Sequence, residues 1–93
     1  MERVAVRVIV EGRVQGVWYR GWTIDQAQAR GLDGWVRNRR DGTVEALFYG
    51  PQQSVRAMIE ACRTGPPAAH VRAVREYPDH PPGDHGFQQL PTL

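Results

Sequence analysis

A loop rich in backbone donors lies near the start of the chain, at residues 11–21, EGRVQGVWYRG. Residues 12–20 contain no proline, so every residue from Arg13 to Arg20 carries a free backbone N–H. Gly12 and Gly16 let the chain curl tightly, because glycine adopts positive φ at little cost. A curled run of N–H groups forms a concave nest that suits an oxyanion. The residue types in this loop therefore indicate a site for phosphate or a similar anion.

A single arginine, Arg20, closes this loop where it leads into a predicted helix. A guanidinium can grip two oxygens of a phosphate, and a helix N-terminus also favours negative charge. The Gly-Lys-Ser/Thr of a Walker loop and the Gly-x-Gly-x-x-Gly of a dinucleotide site are both absent. On the loop alone, two interpretations stay open. It is either an oxyanion cradle with one cationic clamp, or a tight turn whose Arg20 merely pairs with a nearby carboxylate.

A second candidate residue, Asn38, lies in the segment GWVRNRRDGTVEALFYG, residues 34–50. It falls near the end of a predicted strand, although asparagine is a poor strand residue. Asn38 therefore either supports the turn that follows or directs its amide at a ligand. Spacing along the chain does not by itself place Asn38 beside Arg20.

The hydrophobic pattern predicts the elements that must position these residues. Alternating valines near the N-terminus are typical of a strand, and Asp41-Gly42 between two strand-like runs predicts a hairpin. Apolar residues at helical spacing, Val55, Met58, Ile59 and Cys62, predict an amphipathic helix. The predicted elements are a strand over 3–10, a helix over 21–30, strands over 32–39 and 43–49, a helix opened by Gly50-Pro51 and stopped by Gly65, a strand over 70–77 with a bulge between Val71 and Val74, and a short edge strand over 87–90.

This order, βαββαβ with a possible fifth strand, predicts a single α+β domain over residues 1–93. The expected architecture is a ferredoxin-like sandwich, with an antiparallel sheet and two helices on one face. That fold carries enzymes, RNA binders, metal carriers and regulatory modules, so the function must be argued from a site.

Composition narrows the class of protein. A hydrophobic content of 41% and a charged content of 24% are typical of a globular domain. The single cysteine, Cys62, excludes an internal disulfide framework and is predicted to be a small buried hydrophobe. Charges interrupt the first ten residues and no run reaches membrane-spanning length, so we expect a cytoplasmic protein. All twelve basic residues are arginine, but they are scattered among ten acids, so charge does not indicate nucleic-acid binding.

The two glycine-bounded segments resemble the signatures of the acylphosphatase family. GRVQGVWYR, residues 12–20, is similar to the first signature, Gly-x-Val-Gln-Gly-Val-x-aromatic-Arg, and residues 34–50 are similar to the second. The resemblance implies hydrolysis of the carboxyl-phosphate anhydride of an acyl phosphate to a carboxylate and inorganic phosphate, with no metal and no cofactor. It further implies that Asn38 positions the attacking water. The phosphoryl group would be bound by Arg20 and by the backbone amides of Gln15, Gly16, Val17, Trp18 and Tyr19.

The resemblance also implies a monomer that acts on a small-molecule acyl phosphate. Inorganic phosphate or sulfate would compete for the site, and neither nucleic acid nor a membrane would be a partner. Two rivals remain: an anion-binding module without turnover, and a non-catalytic RNA-binding or regulatory domain. The joint presence of Arg20 and Asn38 favours the hydrolase. The RNA-binding rival would stack bases on Trp18, Tyr19, Trp22 and Trp35, and a weaker alternative is a metal site at Asp79-His80 and Asp84-His85, in the loop over 78–86.

Overall fold

The computed structural model describes residues 2–93 and contains five strands and two helices. In chain order these are β1 (Arg3–Arg13), α1 (Tyr19–Ala29), β2 (Asp33–Asn38), β3 (Val44–Pro51), α2 (Gln52–Cys62), β4 (His70–Pro78) and β5 (Phe87–Gln89). They form one sheet in the order β4-β1-β3-β2-β5. The predicted α+β ferredoxin-like fold is confirmed. The sheet is mixed rather than antiparallel, because β5 pairs in parallel with β2 while the other three pairings are antiparallel.

The core lies between the sheet and the two helices. Alternate valines of β1 face the helices: Val8 and Val10 are fully buried, while Val4 and Val6 pack against the core at its margin. Burying one large aliphatic side chain contributes about 1.5–3 kcal/mol to stability. Helix α2 supplies the apolar stripe predicted from its spacing, in which Val55, Met58, Ile59 and Cys62 are all buried.

The opposite face of the sheet is centred on a buried carboxylate, Glu45, which is only 4% exposed. Arg7 Nη1 donates to Glu45 Oε2 at 3.1 Å, and Arg37 Nε donates to Oε1 at 2.7 Å. Arg39 Nη1 lies 3.5 Å from Oε2. Burying a charge is costly unless it is paired, and these three guanidinium groups provide the pairing. Arg7, Arg37 and Arg39 therefore stabilise the fold through their pairing with Glu45.

The start of α1 and the junction between β3 and α2 differ from the sequence-based expectation, each for a local reason. Helix α1 begins at Tyr19 rather than Gly21, because Trp18 adopts the left-handed conformation (φ 66°) and ends the loop there. Gly50 and Pro51 close β3 instead of opening α2, and Pro51 is the residue just before that helix. The predicted bulge is confirmed, because the β1–β4 register shifts between Glu11 and Gly12 and leaves an extra residue on β4.

Residues 2–93 include no helix with the length and apolar composition needed to cross a bilayer.

Candidate active site

The glycine loop leaves the sheet at the β1–β4 bulge. Gly12 has φ 126°, and a Cβ at this position would lie 2.2 Å from the carbonyl oxygen of His70. Only glycine fits such a close approach of two backbones. Gly16 has φ 74°, and Trp18 follows with φ 66° before α1 begins. Successive left-handed positions thus curl the chain between Val14 and Tyr19, as the glycine spacing predicts.

The backbone amides of this loop have no acceptors within the part of the chain that the structure describes. From Gln15 through Gly21, none donates a hydrogen bond to any atom of residues 2–93. The first amide with an acceptor is that of Trp22, which donates to Trp18 O at 3.0 Å. Helix α1 has no side-chain cap and no acidic residue in its first turn. The loop therefore presents free donors together with the positive end of a helix dipole.

All of the residues that carry these donors except Val17 line a cavity of about 210 Å³. Residues of the loop and of the first turn of α1 form one side, while the ends of β2 and β5 form the other. Val17 is the one predicted site residue that does not line the cavity, because its side chain packs in the core. The lining residues are Val14, Gln15, Gly16, Trp18, Tyr19, Arg20, Gly21, Asn38 and Gln89.

Arg20 and Asn38 both line this cavity, which the sequence alone could not establish. Among residues 2–93 no carboxylate pairs with the Arg20 guanidinium, so the structure contradicts the interpretation of Arg20 as a simple ion-pairing residue. Asn38 Oδ1 is buried and finds no hydrogen-bond donor within the described chain. A buried polar atom without a partner costs about 1–3 kcal/mol, so this amide is set up to bind something from outside the protein.

Two of the lining residues, Gln15 and Tyr19, use their side chains to hold the loop in place. Gln15 Nε2 donates to the carbonyls of Arg39 and Thr43, both at 2.8 Å, and so ties the loop to the hairpin that follows Asn38. The Tyr19 hydroxyl donates to Cys62 O at 2.7 Å and joins α1 to α2. None of these three bonds was predicted, because all of them depend on contacts between residues distant in sequence.

The titratable groups behind the loop remain protonated near neutral pH. Burial, with a further contribution from Cys62, raises the pKa of the Tyr19 hydroxyl. Burial also raises the pKa of the Cys62 thiol to about 12. The prediction that Cys62 is a small buried hydrophobe is confirmed by its burial, and the raised pKa values make neither group suited to act as a general base near pH 7.

Gln89 is a lining residue that the sequence-based reasoning missed. It reaches the cavity because β5 pairs in parallel with β2, with Gln89 beside Val36. The short run over 87–90 predicted an edge strand, but nothing in it indicated which neighbour it would join.

The fold does not bring together the residues of the alternative metal site or of the alternative base-stacking surface. Residues 2–93 bring together no group of three or more His, Cys, Asp and Glu side chains that could hold a metal ion. Asp79 instead lies 3.3 Å from Arg7. The aromatic residues form no common platform: the Tyr19 and Trp22 rings pack on each other at 5.4 Å, whereas Trp35 stacks with Arg37 on the other face of the sheet.

Comparison with known proteins identifies the family to which this chain belongs. The family model described as Acylphosphatase matches residues 6–89. The chain belongs to the acylphosphatase family. Its relatives include an acylphosphatase of Rhodospirillum rubrum, 56% identical over 93 residues, with both chains covered in full. The members of this family are enzymes that hydrolyse acyl phosphates, and this chain is an enzyme of that class.

Solved structures agree with this assignment. The crystal structure of the Bacillus subtilis acylphosphatase is 38% identical, with a TM-score of 0.88, over 94% of this chain and 98% of that one. The Coxiella burnetii acylphosphatase is 31% identical, with a TM-score of 0.90, over 95% and 93% of the two chains.

Proposed function

We propose that the cavity binds the phosphoryl group of an acyl phosphate and that Asn38 orients the water that cleaves it. The observation that carries this proposal is the buried, partnerless Oδ1 of Asn38 in the same cavity as the free amides and Arg20. A protein that only bound anions would have no need of a hydrogen-bond acceptor here. An acceptor suits a water molecule, because water can donate to the amide oxygen while its own lone pair faces phosphorus.

The phosphoryl group is held by main chain and by one side chain. The amides of Gln15 through Tyr19 donate to its oxygens, and the Arg20 guanidinium neutralises the remaining charge. Phosphoryl transfer requires this charge to be stabilised and the nucleophile to be held in line with the leaving group. Donors fixed by the backbone do so without reorganising during the reaction. Because these groups supply the positive charge, we propose that turnover needs no metal.

The water attacks phosphorus while the bond from phosphorus to the carboxyl oxygen breaks. A phosphoryl oxygen of the substrate takes the proton of the water, and the acyl group leaves as a carboxylate, which is a good leaving group without protonation. The two titratable neighbours of the loop, Tyr19 and Cys62, have raised pKa values and offer no base. A pH–rate profile that requires an enzyme base with a pKa near 7 would contradict this route.

The decisive experiment measures turnover of benzoyl phosphate in EDTA by the wild type, Arg20→Ala and Asn38→Ala. We expect the wild type to turn over and each variant to lose at least about 10²-fold in kcat/KM, equivalent to about 2.7 kcal/mol of transition-state stabilisation. Arg40→Ala is the matched control, because Arg40 is an exposed arginine outside the cavity. It should retain wild-type turnover, and circular dichroism should show all variants folded.

Two other outcomes would change the proposal. If the wild type is inert but binds phosphate in an Arg20-dependent way, the cradle is real and the chain is an anion-binding module. If EDTA abolishes turnover and a divalent cation restores it, the metal-independent route is wrong.

We also propose that the enzyme acts as a monomer, because one chain supplies every residue that lines the cavity. Light scattering coupled to size-exclusion chromatography should give a mass near 10.5 kDa. A dimer that persists at assay concentrations would contradict this.

A further inference from the structure

An exposed tryptophan stands at the mouth of the cavity. Trp18 lines the cavity, yet 62% of its surface is exposed. Tyr77, another large exposed side chain, has Arg7 stacked 4.8 Å from its ring centroid. Within the described chain, no ring or cation covers the indole of Trp18 in the same way. Large apolar surface left uncovered beside a polar cavity points to a ligand that covers it.

The backbone holds Trp18 in this position at a cost. Its φ of 66° is left-handed, a conformation that is unfavourable for a residue with a Cβ. The indole lies against Gly21: a Cβ on that residue would be 2.2 Å from Trp18 Nε1. The absence of a side chain at Gly21 thus leaves the space that the ring occupies. Strain of this kind concentrates at ligand-binding sites.

The size of the cavity places the acyl group beside this ring. At about 210 Å³ the cavity is smaller than the roughly 300–1,000 Å³ of pockets that enclose a whole small molecule. With the phosphoryl group on the loop amides, the rest of the substrate must extend past the rim. In-line attack by a water held at Asn38 also requires the acyl group to point away from Asn38. Gly16 and Trp18 are the exposed lining residues of the loop, and of these two only Trp18 has a side chain that can contact the acyl group.

We propose that the indole of Trp18 binds the acyl group and makes the enzyme selective for acyl phosphates with an aromatic or large apolar acyl part. This inference rests on the proposed function of the cavity. An aromatic ring against an indole gains stacking and buried apolar area, whereas an acetyl group covers little of the ring. Selectivity among substrates must come from the acyl group, which leaves as a carboxylate, because the phosphoryl group is the same in all acyl phosphates.

The test compares kcat/KM for benzoyl phosphate and acetyl phosphate. Trp18→Asn removes the ring but keeps a residue that tolerates left-handed backbone, and Trp18→Phe keeps an aromatic ring. We expect the benzoyl-to-acetyl ratio of Trp18→Asn to fall roughly 10-fold below wild type. The loss should fall mainly on KM for benzoyl phosphate, and Trp18→Phe should keep the ratio within about 3-fold. Comparing ratios with the wild type cancels the different intrinsic reactivity of the two substrates.

The matched control is Tyr77→Thr, which removes an exposed aromatic residue far from the cavity and keeps a strand-favouring side chain. Its ratio should equal the wild-type ratio. An unchanged ratio in Trp18→Asn, whether or not both rates fall together, would overturn the role of the indole and leave the proposed function standing. A wild type that hydrolyses neither substrate would instead overturn the proposed function itself.

Discussion

At the scale of single residues, Gln15 links the two halves of the site. Its Nε2 donates to Arg39 O and Thr43 O, both at 2.8 Å. Both carbonyls also accept a backbone bond within the hairpin, from Gly42 N and Arg39 N respectively. The side chain therefore adds little to the hairpin itself, and its main effect is to fix the loop against the strand end that carries Asn38.

We expect Gln15→Met to separate these effects. The substitution preserves length but removes both donors, so the free energy of unfolding should fall by only about 1 kcal/mol. The catalytic loss should be larger, about 10-fold in kcat, because small misplacements of reacting groups are costly. Urea unfolding and benzoyl phosphate kinetics give the two quantities. Gln88→Met, at an exposed position of β5 outside the cavity, is the control. Equal kcat in Gln15→Met and wild type would refute the positioning role.

At the scale of elements, the bond from the Tyr19 hydroxyl to Cys62 O joins the first turn of α1 to the last residue of α2. Two groups with acidic protons, the Tyr19 hydroxyl and the Cys62 thiol, are buried at this contact. Burial raises the pKa of the Cys62 thiol from its ordinary value of 9.0 to about 12, and the Tyr19 pKa is raised from 10.0 by burial and by Cys62. The folded state thus keeps both protons at pH values where the unfolded chain releases them.

Stability should therefore fall at alkaline pH. Below pH 9 both states hold the thiol proton and the contribution is fully present. Between about pH 9 and 12 only the unfolded state loses it, so the free energy of unfolding falls by about 1.4 kcal/mol per pH unit. Cys62→Ala should remove this slope between pH 9 and 10, while the slope due to Tyr19 remains above pH 10. Urea unfolding at stepped pH measures it, and identical slopes in both proteins would contradict the buried-thiol assignment.

The sequence predicted elements best where one face is strongly apolar. The stripe of α2 and the valines of β1 gave the correct elements, because burial requires that periodicity. Helix α1 was predicted less well, since its buried positions are only Tyr19, Thr23 and Ala27, and its start depends on the left-handed backbone of Trp18. The pairing of β5 with β2 and the ion pair of Glu45 with Arg7 join residues that are distant in sequence, so no local pattern predicts them.

The candidate site followed the same rule. The loop, Arg20 and Asn38 could be singled out because residue type and glycine spacing carry chemical meaning. Their meeting in one cavity could not be derived from spacing, because it depends on the β1–β3–β2 strand order. For the same reason, the sequence did not predict that Gln89 lines the cavity or that Gln15 bonds to the hairpin. Both contacts depend on how the strands pair.

At the scale of the whole molecule, a ligand on the loop must stabilise the fold. A ligand that binds only the folded state adds RT ln(1 + [L]/Kd), about 2.7 kcal/mol at 100 times Kd. In a domain of this size about 1 kcal/mol shifts Tm by about 4–8 °C, so this stabilisation raises Tm by roughly 10–20 °C. We therefore expect phosphate and sulfate to raise Tm and to inhibit benzoyl phosphate hydrolysis competitively.

The comparison between variants isolates the site. Sulfate stabilises most proteins through exclusion from their surfaces, so the relevant quantity is the difference between wild type and Arg20→Ala at the same sulfate concentration. We expect sulfate to raise the Tm of the wild type more than the Tm of Arg20→Ala. Arg40→Ala should show the same rise in Tm as the wild type. Thermal shifts that are equal in wild type and Arg20→Ala would mean that the anion does not bind the cavity.

The free amides of the loop have an evolutionary consequence. Most donors of the proposed cradle belong to the main chain, so a mutation that changes only a side chain leaves them in place. What must persist is the path of the chain: Gly12, where no Cβ fits against His70, and Gly16, whose φ is 74°. The side chains around this path can then vary widely while the fold that sets the path stays the same. Acylphosphatases only 31–38% identical to this chain keep its fold at TM-scores of 0.88–0.90.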